Sequence, residues 1–346
     1  MSIGIGIIGT GGIAQAHAKA YLELAPAVQL VAVADIDGDK ARDAATQWGV
    51  EQVFEDYRDL LALDIIDALS ICTPTCAHSA PAIAALDAGK HVLVEKPMAA
   101  TTAEARKMVT AAERNDRLLM VEMKWRFMPE LQAARAAIAR GELGRIYYAE
   151  AIGWQQRGIP GGSFIRHDLA GGGALMDNGV YTLDAALYLM GHPRPLTASG
   201  TAANIFGQAE EGHWDPQEFT VEDFGTALVR LEGGITLFFA HAWAINFDEQ
   251  WQIRIAGDQG AAEIRPFGPE PRLRLTHGSY RNLTDTTPSS LPEGSTEVGY
   301  AVERFVSALR EGSPSPVNGD TFLYTNAIFD ALYESSRQNR EVSIEI

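Results

Sequence analysis

The chain has 346 residues, 46% of them hydrophobic and 21% charged, about two domains' worth of ordinary globular sequence; this excludes a disordered, fibrous or collagen-like polymer. Lys and Arg total 28 against 45 Asp and Glu, a net charge of −17. A molecule that acidic repels phosphate backbones and anionic lipid, so no nucleic-acid or membrane partner is expected.

The first apolar run, Ile3 to Ile8, lacks a basic flank and breaks at once into Gly9-Thr10-Gly11-Gly12, unlike a signal peptide. From there to about residue 125, short β-branched runs alternate with Ala-rich helical stretches, the signature of βαβ units. The predicted strands are Gly4 to Ile8, Leu30 to Ala34, Ala68 to Cys72, His91 to Val94 and Leu118 to Glu122, with helices over 13–24, 37–48, 77–88 and 102–114 between them. Thr101-Thr102-Ala103-Glu104 supplies a capping box for the last. Cys72 and Cys76, with three residues between them, fit neither a disulfide framework nor redox or zinc spacing, and a reducing cytoplasm suits them. Together with His78 they lack a fourth ligand, so no metal is expected.

Beyond Arg145 the pattern changes to longer runs with loose two-residue alternation. Phe224 to Leu231, Ile235 to Ala242, Trp251 to Ala256 and Arg272 to Thr276 read as antiparallel strands, with hairpin turns at Glu232-Gly233-Gly234 and Asp258-Gln259-Gly260. Gly172 to Met190 reads as one helix among them, and Tyr300 to Arg310 and Thr321 to Arg337 as two closing helices around a Pro-rich turn. No run approaches the roughly eighteen apolar residues of a membrane span. The expected architecture is an α/β Rossmann domain with a doubly wound parallel sheet over 1–123. An α+β domain with a large, mainly antiparallel open sheet follows over 124–346, its C-terminal helices free to pack back on the first domain.

Gly9-Thr10-Gly11-Gly12-Ile13-Ala14 matches the G-x-G-x-x-A dinucleotide fingerprint in its strand, turn and helix context. Gly9 allows the tight turn, Gly11 lets backbone approach a pyrophosphate, and Ala14 lets the helix pack on the sheet while its first amides face the anion. A glycine turn between unrelated elements is the competing reading. Asp35, about twenty residues on at the end of the second strand, is placed to accept both ribose hydroxyls and to repel a 2′-phosphate, favouring NAD over NADP; alternatively it caps the helix near Asp37.

Three further motifs carry a family resemblance: Cys72-Thr73-Pro74-Thr75, Glu95-Lys96-Pro97, and Gly171-Gly172-Gly173-Ala174-Leu175-Met176-Asp177-Asn178-Gly179-Val180-Tyr181. In order and separation the chain resembles the glucose–fructose oxidoreductase and inositol dehydrogenase (Gfo/Idh/MocA) family along essentially its whole length. The resemblance implies that Thr73, Pro74 and His78 lie along the cofactor with Glu95, and that Lys96 enters the active site. It also implies polar substrate-side roles for Arg126 and Arg166, and a homodimer or homotetramer. The family's usual Asp-x-Gly-x-His here ends in Tyr181, which is similar to the tyrosine-containing branch of dihydrodiol and aldose dehydrogenases, where the tyrosine is assigned the acid/base role.

The chemistry agrees with that assignment. Removing a hydride from a carbinol carbon requires a base for the hydroxyl proton. A free phenol, with a pKa of about 10, is a poor base until a nearby ammonium such as Lys96 stabilises the phenolate. Asp177, four residues before Tyr181 and so on the same face of the predicted helix, would orient sugar hydroxyls. A surface lysine and a buried tyrosine with a satisfied hydroxyl are the bland alternatives. Trp154, His167, Asp168 and His241 are further candidates on segments expected to face the nicotinamide, each with a structural or solvent-facing role as the favoured competing reading; a mixed lining of Trp, Arg, Asp and His would suit a carbohydrate. The expected function is therefore a cytoplasmic NAD-dependent dehydrogenase of a sugar, polyol or related compound. The rivals are an NAD-binding sensor without catalysis and a redox-assisted glycoside-processing enzyme that retains its cofactor.

Overall fold

The computed structural model describes residues 2–346. In chain order the first elements are β1 (Ile3–Ile8), α1 (Gly12–Glu23), β2 (Val28–Ala34), α2 (Gly38–Trp48), β3 (Gln52–Phe54), α3 (Tyr57–Leu61), β4 (Ala68–Ile71), α4 (Ser79–Asp87), β5 (His91–Val94), α5 (Thr102–Asn115) and β6 (Leu119–Val121). There follow α6 (Pro129–Ala139), β7 (Ile146–Trp154), α7 (His167–Ala170), α8 (Ala174–Asp177), α9 (Gly179–Met190), β8 (Pro195–Ala203), β9 (Phe224–Leu231), β10 (Ile235–Ala242), β11 (Gln250–Gly257), β12 (Gly260–Ile264), β13 (Leu273–Ser279) and β14 (Asn282–Thr286). The chain closes with α10 (Val298–Glu311), α11 (Gly319–Gln338) and β15 (Val342–Ser343). No helix of the described residues is long and apolar enough to cross a membrane.

Two compact units result, one comprising Met1–Lys124 with Thr296–Phe322, the other Trp125–Ser295 with Leu323–Ile346. In the first, six strands run parallel in the order β3-β2-β1-β4-β5-β6, the doubly wound arrangement whose strand order reverses beside β1. The strands are near-continuous Ile, Val, Leu and Ala because helices cover both faces: β4 and β5 are buried almost throughout. Helix starts follow the sequence chemistry. Asp37 caps α2 by accepting the Lys40 amide, and Thr101 caps α5 by accepting the Glu104 amide at 3.3 Å while its hydroxyl reaches the Glu104 carboxylate at 3.2 Å. α10 packs on α1, and the Val121 amide donates to the Val317 carbonyl, so residues 296–322 complete this unit.

The second unit is built on nine strands in the order β14-β13-β12-β11-β7-β10-β9-β8-β15, antiparallel except for the β7–β10 pair. Alternation sorts its faces. Gly153, Phe239, His241 and Trp251 point toward α9, and a Cβ on Gly179 would sit 2.9 Å from Phe239, so glycine there lets the helix settle on the sheet. The opposite face carries a row in register, Leu228, Phe238, Glu150, Arg254, Glu263 and Arg274.

The expected single helix over Gly172 to Met190 is two: a one-turn α8 and then α9, parted at Asn178. The Asn-Gly pair there is among the weaker helix formers. Asp177 therefore ends one helix and Tyr181 sits in the first turn of the next, which corrects the picture of both on one continuous helical face. β3, α3, α6, β7 and β8 also emerge where no element was expected.

Candidate active site

The glycine turn follows directly from backbone geometry. Gly9 has φ +87°, and a Cβ on it would lie 2.7 Å from the Cys72 carbonyl carbon, so only glycine lets β1 and the end of β4 approach this closely. Asp35 braces the turn: one carboxylate oxygen accepts the Thr10 amide at 2.8 Å and the Thr10 hydroxyl at 3.0 Å, while the other accepts the Asp37 amide at 2.9 Å. Asp37, not Asp35, is the helix cap. Ala14, in the first turn of α1, is fully buried, whereas Ile13 is partly exposed.

At the carboxyl ends of β4 and β5 the remaining cofactor-side candidates come together. His78 is buried between two main-chain carbonyls, Pro97 at 2.9 Å from Nδ1 and Thr73 at 2.8 Å from Nε2, and so ties the Thr73-Pro74 turn to the Lys96-Pro97 turn. Burial pushes its imidazole below the ordinary value, against the pull of those two acceptors. Glu95 is buried too. One oxygen accepts from His17 Nε2 at 2.9 Å and the other from the Lys96 amide at 3.1 Å, while Ser70 lies 3.1 Å from His17 Nδ1 and 2.7 Å from the Tyr21 hydroxyl. Burial alone would raise the Glu95 carboxyl, but the hydrogen bond and charge of His17 and the charge of Lys96 outweigh it and hold it below the usual range. Lys96 is half-buried and its backbone is thus fixed by a charged, enclosed neighbour.

In the second unit, the Tyr181 ring stacks on Trp125 with centroids 5.1 Å apart, and Trp125 in turn meets Trp251 and Phe267 edge-on at 5.7 Å each. Asp177 accepts from the Trp243 indole at 3.1 Å, and the neighbouring Asn178 side chain reaches Gln155. The triple glycine is organised from below by Glu222, whose buried carboxylate accepts the Gly173 amide at 2.9 Å, the Leu175 amide at 3.0 Å and the Tyr333 hydroxyl at 3.0 Å. A Cβ on Gly173 would fall 1.9 Å from the Glu222 carbonyl oxygen, which explains the glycine.

The softer candidates separate. Arg126 is buried, its guanidinium bonded two-pronged to Asp184 at 2.8 and 2.7 Å and lying over the Tyr188 ring. Trp154 lies on the sheet face away from α9, stacked on Phe224, so the structure does not bring it together with Tyr181. Arg166 is at the surface in an ion pair with Asp168, and the His167 amide donates to Thr220. His241 is buried against Trp251 on the α9 side. Sequence reasoning missed Glu222 and the Trp125, Trp251 and Phe267 cluster. Of these only Trp251 lies in a strand, where its register opposite Gly153 marks its face; Glu222, Trp125 and Phe267 lie outside the strands, and no local pattern signals their tertiary partners.

Comparison with known proteins bears on this geometry. The profile of an oxidoreductase family with an NAD-binding Rossmann fold matches residues 3–123, and that of the GFO/IDH/MocA C-terminal domain matches residues 131–263. The D-glucoside 3-dehydrogenase of Escherichia coli (strain K12) is 32% identical over 269 residues, 76% of this chain and 77% of that protein. The chain belongs to the Gfo/Idh/MocA oxidoreductase family. Another family member, the scyllo-inositol 2-dehydrogenase (NADP(+)) IolU of Bacillus subtilis (strain 168), is 25% identical with 88% of each chain covered. Levoglucosan dehydrogenase in complex with NADH superposes over the whole of both chains with a TM-score of 0.86 at 23% identity, which establishes the shared fold. The NAD-binding role of the family's Rossmann domain fits the residues present: a Cβ on Gly11 or Gly12 would meet nothing within 4 Å, leaving open space at the amino end of α1.

Proposed function

We propose that this oxidoreductase uses NAD to oxidise a secondary hydroxyl of a sugar, polyol or related vicinal-hydroxyl compound. The observation that carries the reading is the open glycine turn braced by Asp35 in the same unit, and on the same parallel sheet, as a lysine fixed through the buried Glu95. Gly9 to Ala14, Asp35, Thr73, Pro74, His78 and Glu95 hold the dinucleotide, and Asp35 disfavours a 2′-phosphate, so NAD is preferred to NADP. Bound NAD supplies the hydride acceptor. Tyr181 takes the hydroxyl proton, Lys96 stabilises its phenolate, and Asp177 orients neighbouring hydroxyls. Residues 125–295 with 323–346 bind substrate, Arg166 being a further candidate, and form a homodimer or homotetramer through the open sheet face; Arg126, tied to Asp184, and Trp154, on the face away from α9, are set aside as substrate contacts. A reducing cytoplasm suits Cys72 and Cys76, which form no disulfide among the described residues.

A panel of aldoses, inositols, sugar acids and glycosides assayed for NADH formation identifies the substrate. Lys96→Met and Tyr181→Phe are expected to lose about 10²–10⁴-fold in kcat while still binding NAD. Full activity of Tyr181→Phe would end its acid/base assignment.

A further inference from the structure

Glu122 is a residue for which the reading so far has no use. It follows the last residue of β6, and the register Ile71–Val94–Val121 across β4, β5 and β6 sets Cys72, Glu95 and Glu122 side by side at the carboxyl edge of the sheet. Its amide donates to the Val94 carbonyl at 2.8 Å. Its side chain is enclosed, and among the described residues neither carboxyl oxygen has a hydrogen-bond partner. Buried polar groups are nearly always paired, and an orphaned carboxyl is costly to keep without a purpose.

The groups acting on Glu122 are known. Glu95 and Lys96 come from the end of β5 and Lys124 from the segment after β6; Cys72 stands at the end of β4. Behind Glu95 lie His17 of α1 and His78 of the turn before α4. Burial first, and then the negative Glu95, push the Glu122 carboxyl well above the carboxylate range, against the weaker pull of Lys124 and Lys96. The neutral form is thus favoured at Glu122 and the charged form at Glu95.

In a doubly wound sheet of this strand order, the β4-β5-β6 edge receives the second half of a dinucleotide. That half carries the ring whose charge changes in the reaction: the oxidised nicotinamide is a cation and the reduced one is neutral. We infer that Glu122 answers to this charge, releasing its proton to solvent when the oxidised cofactor binds and keeping it when the reduced cofactor binds. The inference rests on the reading that NAD occupies this unit, and it adds a cofactor-binding role for a residue outside the motifs. Its consequence is that affinity for NAD⁺ rises with pH where affinity for NADH does not.

The test is titration calorimetry of the full chain with NAD⁺ and with NADH in two buffers of different ionisation enthalpy, over a range of pH. Wild type is expected to release up to one proton per NAD⁺ and to tighten toward a limit of about tenfold per pH unit, with NADH nearly insensitive. Glu122→Gln is expected to lose the proton release and bring the two cofactors to the same pH dependence. Infrared difference spectra of wild type supply a check free of any variant: the band of a protonated carboxyl is lost on adding NAD⁺ and kept on adding NADH. Equal proton release in Glu122→Gln, release of none by wild type, or an unchanged carboxyl band overturns the inference alone. Absence of any NAD⁺ or NADH binding overturns the cofactor reading with it.

Discussion

At the scale of single residues, the candidate site is a set of backbone positions held by carboxylates, the half-buried Asp35 and the buried Glu95 and Glu222. Asp35 shows this in its simplest form, since one side chain accepts both donors of Thr10 and so shapes the turn that a pyrophosphate would approach. Hydrogen bonds to a charged acceptor are worth about 1.5–3 kcal/mol each, so Asp35→Ala is expected to weaken NAD⁺ binding by about 10–100-fold and to narrow the preference over NADP⁺. Fluorescence titration measures both, and an unchanged affinity would place the adenosine ribose elsewhere. Gly9, Asp35 and Lys96 were legible in the sequence because each belongs to a spacing with a mechanical reason. Glu222 and Glu122 were not. Their roles arise from partners 47 to 111 positions away, or from the lack of any partner, and no local pattern encodes that.

At the scale of elements, the triple-glycine turn with α8 and α9 forms a cradle whose stability turns on one proton. Burial pushes the Glu222 carboxyl up to about 7 from an ordinary 4.5, and the Gly173 and Leu175 amides and the Tyr333 hydroxyl keep it from rising further. Between those two values the folded chain binds the proton and the unfolded chain does not, so stability falls as pH rises through that interval and levels off above it. The whole effect is on the order of 3 kcal/mol. Denaturation followed by tryptophan fluorescence is well suited, because five of the six tryptophans lie between Trp125 and Trp251, within the second unit. Glu222→Gln is expected to flatten the pH dependence between pH 5 and 7; an unaltered slope would assign it to another group. The strands of the first unit could be read because parallel strands buried on both faces are continuous apolar runs. β7 and β8 could not, since Ile146 to Trp154 interrupts its strand-forming residues with Ala149, Glu150, Ala151 and Gly153, and Pro195 to Ala203 is mostly Ala, Gly, Ser and Thr, a composition with no strong strand preference.

At the scale of the whole molecule, the two fold classes were plain from the change of periodicity near Arg145, and the assignment of residues 296–322 to the first unit was not, because helix packing partners leave no periodic mark. The sheet face away from α9 bears the ion-pair ladder Glu150–Arg254–Glu263–Arg274 beside Phe238 and the 40% exposed Leu228. Exposed pairs of this kind add little to stability; in the homodimer or homotetramer proposed above they would set register for a self-complementary contact. Leu228→Arg is expected to shift a dimer or tetramer toward monomer in sedimentation by at least about tenfold in dissociation constant, through an unpaired charge at the contact. A monomeric wild type would end the proposal of an assembly, and an assembly unaffected by the substitution would move the interface off this face. The interrupted course of the chain also constrains how such proteins diversify. A fragment stopped at Lys124 would strip α10 from α1 and leave the Val121 amide without its carbonyl, so the nucleotide-binding half cannot be lifted out as one contiguous cassette. Grafting it onto a foreign partner takes two pieces of gene, and new specificities are more readily gained by exchanging what lies between them.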